Sequence, residues 1–243
     1  MKKLLLTAAV MALSTGAFAQ DAIKIGTEGA YEPYNYIDQA TGELVGFEIE
    51  LGAELCSRAG LTCEFVQNEW DSIIPNLQSG NYDAIMAGMS ITDERKQMID
   101  FSENYTPPSK SAYMAASADA NIGEGAVISA QISTIQAGYI AEQAGVTMLE
   151  FASPDETVAA VKNGEADAVF ADKDYLTPIA GDSGGALVML DADVALGGGI
   201  GIGLRKSDTA LKEKFDTAIK SMKDDGSLNA MIEKYFGPDS DKF

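Results

Sequence analysis

The sequence contains no histidine, two cysteines and a single tryptophan. Without histidine, neither a Ser-His-Asp nor a Cys-His catalytic group can form. Two cysteines without histidine also give little basis for a four-ligand zinc site. These absences remove histidine-based nucleophilic catalysis from the candidate functions.

Basic residues are scarce as well. Lysine and arginine number 17 against 37 aspartates and glutamates, which gives a net charge of −20. Nucleic acid and anionic membranes repel a chain this acidic, so neither is expected as a partner. Most of these charges are expected to serve solubility alone.

An apolar run lies near the start of the chain. Residues 1–19 have the pattern of a secretory signal peptide: two lysines, the apolar stretch Leu4–Leu13 and the small-x-small cleavage site Ala17–Ala19. The apolar stretch is too short for a spanning helix, and no cysteine follows the cleavage site to carry a lipid. The mature protein is expected to begin near Gln20, to lie free outside the cytoplasm, and to form one large or two small domains.

Cys56 and Cys63 are the two cysteines of the chain. In an oxidising compartment they are expected to form one disulfide between the end of a helix and the start of a strand. A metal-binding pair is the alternative, but no histidine is present to complete such a site.

The run Gly80–Arg95 carries the strongest functional signal. It predicts a buried strand that breaks at Gly88, exposes Ser90 and continues into a short helix beginning at Thr92. A hydroxyl, free backbone N–H groups and the guanidinium of Arg95 then converge at the carboxyl end of a strand. This combination suits a carboxylate ligand. Because cations are disfavoured at a helix N-terminus, an arginine there indicates a bound anion rather than a solvated side chain.

A weaker copy of this run, Gly164–Asp172, ends in an acid. Any parallel strand that follows a helix produces similar apolar residues, but that explanation does not account for polar groups at the ends of both copies. Ligands of open α/β sheets bind beyond the carboxyl ends of the strands. Two such sheets facing each other predict a two-lobed clamp. Asp172 and Ser90 each have the alternative role of capping the next helix.

Strand and helix patterns alternate along the rest of the chain and predict an α/β fold. The small and polar stretch Tyr105–Asn121 is predicted to be a linker or a crossing strand. The segment Gly197–Gly203 is predicted to be flexible, and two amphipathic helices close the chain.

The chain closely resembles the periplasmic amino-acid-binding proteins of ABC importers, in particular the histidine, lysine-arginine-ornithine and octopine binders. The resemblance extends over Ile23–Phe236. Its markers are Ile25–Asn35, Gly42–Cys56, Trp70–Leu77, Asp83–Arg95 and Gly203–Asp208. The disulfide of that family matches Cys56–Cys63.

The resemblance implies two Rossmann-like lobes with a ligand cleft between them, joined by two crossing strands (periplasmic binding protein type II). Lobe 1 would comprise residues 20–106 and 202–243, and lobe 2 residues 107–201. The crossings would fall near Tyr105–Ser111 and Gly198–Gly203, and a hinge motion would close the cleft.

The resemblance also implies ligand contacts for the head of an amino acid. Arg95 would bind the α-carboxylate, with help from the Ser90 hydroxyl and from backbone N–H groups around Gly88. Thr134 would add an N–H and a hydroxyl to the carboxylate. Asp172 would bind the α-ammonium from the opposite lobe.

Three further residues match the positions that contact the ligand side chain. Tyr31 and Trp70 would enclose it between their rings, and Glu28 would favour a cationic group at the far end. Trp70 and Tyr31 have the alternative role of core residues, and Glu28 that of a surface residue.

Two departures from the family pattern affect lobe 2. Ile132 stands where a glycine is common, and the segment 116–125 replaces a longer helical region. Both changes affect the part of lobe 2 from which Thr134 and Asp172 are expected to contact the ligand.

We therefore expect a monomeric periplasmic protein that captures arginine, ornithine, lysine or a derived opine without a cofactor and delivers it to a membrane ABC permease. One alternative is an enzyme similar to the cyclohexadienyl dehydratases that share this fold, with Glu28 or Asp172 as general acid. Another is the same binder acting with a receptor.

Overall fold

A computed structural model describes residues 22–243, and the predicted signal peptide lies outside this range. Eight helices occur in the described chain: α1 (Phe47–Ala59), α2 (Ile73–Gln78), α3 (Asp93–Met98), α4 (Ile135–Ala141), α5 (Pro154–Lys162), α6 (Lys173–Asp182), α7 (Thr209–Asp224) and α8 (Ser227–Phe236). The strands are β1 (Ile23–Thr27), β2 (Ala30–Tyr31), β3 (Asn35–Ile37), β4 (Leu44–Val45), β5 (Cys63–Gln67), β6 (Ala84–Ile85), β7 (Asp100–Thr106), β8 (Lys110–Ala115), β9 (Val127–Gln131), β10 (Thr147–Phe151), β11 (Ala168–Asp172), β12 (Val188–Met189), β13 (Val194–Ala195) and β14 (Ile200–Leu204). Within residues 22–243, no helix combines the length and the apolar character needed to cross a bilayer.

The strands form two principal sheets, which confirms the predicted α/β class. The first has the order β5-β1-β6-β14-β7, with β1 parallel to β5 and β6. The second has the order β10-β9-β11-β8-β12, with β9 parallel to β10 and β11. We name the units built on the first and second sheets lobe 1 and lobe 2. In both, the carboxyl ends of the parallel strands share one edge.

The chain passes from the first sheet to the second between Thr106 and Lys110, and returns between Ala195 and Ile200. The lobe limits at residues 107 and 202 stay a prediction. Strand β8 lies inside the stretch predicted to be a linker or a crossing strand, and it is paired with β11, β12 and β13. Its small residues reflect burial within a sheet, because Ser111, Ala112 and Ala115 are almost fully buried.

The prediction of a flexible Gly197–Gly203 segment is wrong for its second half, because β14 is buried throughout its length. Two glycines of this strand face side chains of lobe 1. A Cβ at Gly201 would lie 2.8 Å from Ile91, and one at Gly203 would lie 3.3 Å from Ile85. Glycine therefore permits close packing here rather than flexibility.

Local sequence explains the helix ends. In α1, Phe47, Leu51 and Leu55 form a buried face, and Gly60 ends the helix in the left-handed conformation with φ of 64°. Ser153 and Glu156 form a capping box at the start of α5. The sequence pattern does not predict α6, because this helix contains a proline and follows a strand without a turn signal.

Cys56 and Cys63 form the predicted disulfide, with a Cα–Cα distance of 6.2 Å. The bond connects the last turn of α1 to the first residue of β5. It therefore fixes the end of this helix next to the edge strand of the first sheet.

We expect the double variant Cys56→Ala/Cys63→Ala to lose about 2–3 kcal/mol of unfolding free energy, because the unfolded chain gains the entropy of a short open loop. Urea denaturation measures this difference. Wild-type protein treated with a reductant should approach the midpoint of the double variant. An unchanged midpoint in the variant would contradict the expectation.

Candidate functional site

A narrow cavity lies between the lobes, at the carboxyl ends of the parallel strands. All eight residues predicted as ligand contacts line it: Glu28, Tyr31, Trp70, Gly88, Ser90, Arg95, Thr134 and Asp172. Four unpredicted residues complete the lining: Ala87, Gln131, Ile135 and Gln136. The geometry brings the eight residues together, while their roles toward a ligand stay a prediction.

Arg95 is a buried cation, with 7% of its surface exposed. Its backbone N–H donates to the Thr92 side chain at 3.1 Å, which caps α3 and places Arg95 in the first turn. The guanidinium donates to the carbonyls of Ser90 at 2.9 Å and Ser133 at 3.3 Å. Burial lowers the pKa of Arg95 to about 10, so it remains charged at neutral pH. The arginine is therefore not a solvated first-turn residue, and its acceptors in the described chain are neutral.

Asp172 lies opposite, at the end of β11. Its carboxylate accepts from the Tyr31 hydroxyl at 2.8 Å and from the Gln136 side-chain amide at 2.9 Å. It occupies the N-cap position of α6 without making a side-chain capping bond, so the capping alternative does not hold. Burial raises the pKa of Asp172 to about 6. Ser90 does not cap α3 either, because Thr92 does so.

Two aromatic rings face the cavity. Tyr31 stacks on Tyr175 with ring centroids 4.3 Å apart, and Gly88 lies beside it, where a Cβ would be in van der Waals contact with the Tyr31 ring at 3.4 Å. Trp70 opens a 3₁₀ turn and packs against Ile73, with the Arg95 guanidinium carbon 5.2 Å from its ring centroid. Trp70 thus belongs both to the core and to the cavity wall.

Glu28 follows β1 and is 9% exposed, so it is not a surface residue. It accepts from the Gln131 side-chain amide at 2.6 Å. Burial raises the pKa of Glu28 to about 7. Sequence reasoning missed Gln131 although it ends β9, a position where polar side chains reach a cleft. Gln136 had no comparable signal, because its place on one face of α4 depends on how the helix packs.

Thr134 caps α4. Its hydroxyl accepts from the Ala137 N–H at 3.1 Å and donates to the Gln131 carbonyl at 2.7 Å. The hydroxyl is therefore already engaged. Ser133 adopts a φ of 60°, which directs its carbonyl toward Arg95. Ile132, the departure from the family pattern, is 36% exposed and does not line this cavity.

The charges of the cavity define what it can accept. One cation from lobe 1 and one acid from lobe 2 match a small zwitterion, and Glu28 provides a second acid for a further positive charge. Residues 22–243 contain no group of histidine, cysteine, aspartate or glutamate suited to a metal ion. The arrangement fits non-covalent capture of a charged small molecule.

Comparison with known proteins also indicates a protein that binds a small solute. Residues 23–238 match the model of the bacterial extracellular solute-binding proteins, family 3. The crystal structure of a periplasmic His/Glu/Gln/Arg/opine family-binding protein from Silicibacter pomeroyi in complex with lysine is 62% identical, covering 91% of this chain and 100% of that chain with a TM-score of 0.88. The L-arginine-binding protein of Pseudomonas aeruginosa is 32% identical over 98% of each protein. The histidine-binding periplasmic protein of Salmonella typhimurium is 32% identical over 97% of each.

These relatives are named as binding proteins and not as enzymes, in agreement with the cavity. The chain therefore belongs to the bacterial extracellular solute-binding proteins, family 3, and has the two-lobed fold of a type II periplasmic binding protein.

Proposed function

We propose that this protein is a periplasmic monomer that binds a cationic amino acid, such as arginine, ornithine or lysine, or an opine derived from one. It then delivers the ligand to a membrane ABC permease. The observation that carries the proposal is the burial of Arg95, Asp172 and Glu28 in one cavity. When both carboxyl groups are ionised, the three groups sum to −1, which complements an amino acid with a positively charged side chain. Relatives named for binding arginine, histidine and lysine/arginine/ornithine support the same ligand class.

The head of the ligand would lie between the lobes. Arg95 would donate two parallel hydrogen bonds to the α-carboxylate, assisted by Ser90 and by the backbone N–H of Thr134. Asp172 would accept from the α-ammonium. Because these two charges belong to different lobes, a zwitterion would join them and stabilise the closed arrangement.

The tail would extend between Tyr31 and Trp70 toward Glu28. The aromatic faces would pack against the alkyl chain and attract a guanidinium or ammonium through cation–π contact worth about 0.5–2 kcal/mol. Gln131 would hold the Glu28 carboxylate in place from lobe 2. Glu28 would then pair with the cationic end of the ligand.

The dehydratase alternative fits less well, because the relatives are named as binding proteins and Asp172 would face the ligand's ammonium. Incubation with prephenate or arogenate separates the two functions. A thermal-shift screen over amino acids and opines identifies the ligand, since bound ligand raises stability by RT ln(1 + [L]/Kd).

Arg95→Ala is expected to weaken binding of the ligand found in that screen by at least about 100-fold, because the carboxylate loses its buried cationic partner. Isothermal titration calorimetry measures the affinity. Arg58→Ala is the matched control: it removes an arginine that pairs with Glu54 and Asp225 outside the cavity, and it should leave affinity unchanged. An affinity loss of less than about 10-fold in Arg95→Ala would refute the assigned head site.

Glu28→Gln is expected to weaken arginine binding about 10–100-fold and to change citrulline binding by less than about threefold. Citrulline keeps the shape of arginine without its side-chain charge, so the comparison isolates the charge at Glu28. The glutamine can still accept from Gln131, which preserves the wall. Glu64→Gln is the control, since it removes an exposed carboxylate paired with Lys24. An equal loss for both ligands would contradict the role of Glu28.

The raised pKa values of Glu28 and Asp172, about 7 and about 6, predict a pH dependence. Because burial in the cavity raises their pKa values, both carboxyl groups are protonated at acid pH in the ligand-free protein. This protonation stabilises the ligand-free protein, and the stabilisation is lost as the pH rises through the raised pKa values. A cationic ligand requires both groups ionised. Arginine affinity should therefore rise between about pH 5 and about pH 7.5, by a larger factor than citrulline affinity. Calorimetry across this range measures both, and a flat arginine profile would contradict the assignment.

A further inference from the structure

Glu48 is a fully buried carboxyl group that does not line the ligand cavity. It is the second residue of α1, and burial raises its pKa. Its hydrogen-bond partners in the described chain are all neutral: the Gly88 N–H, the Asn35 amide and the Tyr105 hydroxyl. Burying a carboxyl group without a cation is costly, and a core of apolar side chains would avoid that cost. The hydrogen-bond partners of Glu48 lead to two ends of the ligand cavity, and this connection explains why a carboxyl group is buried here.

One oxygen of Glu48 leads to the head of the cavity. Oε1 accepts from the backbone N–H of Gly88 at 2.7 Å and from the Tyr105 hydroxyl. Gly88 lies where the chain turns after β6 toward Ser90, and it lines the cavity beside Tyr31. Tyr105 is the next-to-last residue of β7, just before the chain crosses to lobe 2. The same oxygen thus joins the head of the cavity to the start of a crossing.

The other oxygen leads to the tail end. Oε2 accepts from the Asn35 side-chain N–H at 2.6 Å, and the Asn35 side-chain carbonyl oxygen accepts from the backbone N–H of Gly29 at 2.7 Å. Gly29 directly follows Glu28, the acid assigned to the ligand's cationic group. The amide orientation of Asn35 follows from its neighbours, because the Gly29 N–H can only donate and an ionised Glu48 can only accept.

We propose that Glu48 is a positioning residue that holds both ends of the ligand cavity in register, the head through Gly88 and the tail through Asn35 and Gly29. The inference rests on the proposed function for its effect on ligands. Both contacts fix backbone atoms rather than ligand-binding side chains, so Glu48 acts through Gly88 and Glu28 without touching the ligand.

The chain allows a test that separates positioning from stability. In Glu48→Gln, a single amide oxygen replaces two acceptors. If that oxygen faces Gly88 and Tyr105, the new amide N–H meets the Asn35 N–H, and Asn35 must rotate away from Gly29. If the amide is reversed, Gly88 loses its acceptor. In either orientation one end of the cavity loses a buried hydrogen bond.

The double variant Glu48→Gln/Asn35→Asp restores every partner. The introduced glutamine accepts from Gly88 and Tyr105 through its oxygen and donates its N–H to one oxygen of the introduced aspartate. The second oxygen of that aspartate accepts from Gly29. The net charge equals that of wild type. Leu51→Ala is the control for stability, because Leu51 is buried on the same helix and takes no part in the hydrogen bonds.

We expect arginine affinity, measured by calorimetry, to fall about 10-fold or more in Glu48→Gln and to return to within about threefold of wild type in the double variant. Leu51→Ala should lower the melting temperature and leave arginine affinity unchanged. Wild-type affinity in Glu48→Gln, no recovery in the double variant, or an equal affinity loss in Leu51→Ala would overturn the proposal.

A second measurement is independent of the ligand. Hydrogen exchange of the Gly29 and Gly88 amides, followed by NMR, should speed up at one of the two positions in Glu48→Gln and return to the wild-type rate in the double variant. Unchanged protection of both amides in Glu48→Gln would overturn the positioning role. If wild-type protein binds none of arginine, ornithine, lysine and their opines, the proposed function fails, and amide exchange still decides the role of Glu48.

Discussion

The burial of opposite charges between two lobes is the constraint on which this structure depends. Arg95 and Asp172 are each less than one-tenth exposed, yet they belong to different lobes and make their hydrogen bonds in the described chain to neutral groups. A buried charge without an ionic partner is expensive to hold. Under the proposed function, the ligand supplies the opposite charges, and its binding favours the arrangement in which the lobes lie together.

The fold places the polar side chains of the cavity without an unusual backbone conformation at the ends of the strands. Parallel strands end at one edge of each sheet, so Glu28 reaches the cleft by following β1, and Gln131 and Asp172 reach it as the last residues of β9 and β11. The backbone at Gly88 and Gly29 must be held at a defined position, because the chain turns there at the cavity wall. The buried carboxyl group of Glu48 accepts a hydrogen bond from the Gly88 N–H and, through Asn35, is connected to Gly29.

Sequence reasoning succeeded where a residue conflicts with its local environment. An arginine in the first turn of a helix opposes the helix dipole, and that conflict singled out Arg95. It failed where composition suggested mobility, since the glycines of β14 permit close packing against Ile91 and Ile85. It also missed Gln136, because the face of α4 that meets Asp172 depends on packing between elements distant in sequence.

The sequence by itself determined the alternation of strands and helices, the disulfide and the set of charged and aromatic residues that line one cavity. Each of these depends on short-range patterns, turn signals or a residue type that is out of place locally. Only the tertiary structure decided which side chains share a hydrogen bond across the cleft, such as Gln131 with Glu28 and Tyr31 with Asp172. These pairs are separated by 103 and 141 residues. Their distances depend on how the two sheets face each other, which no local pattern encodes.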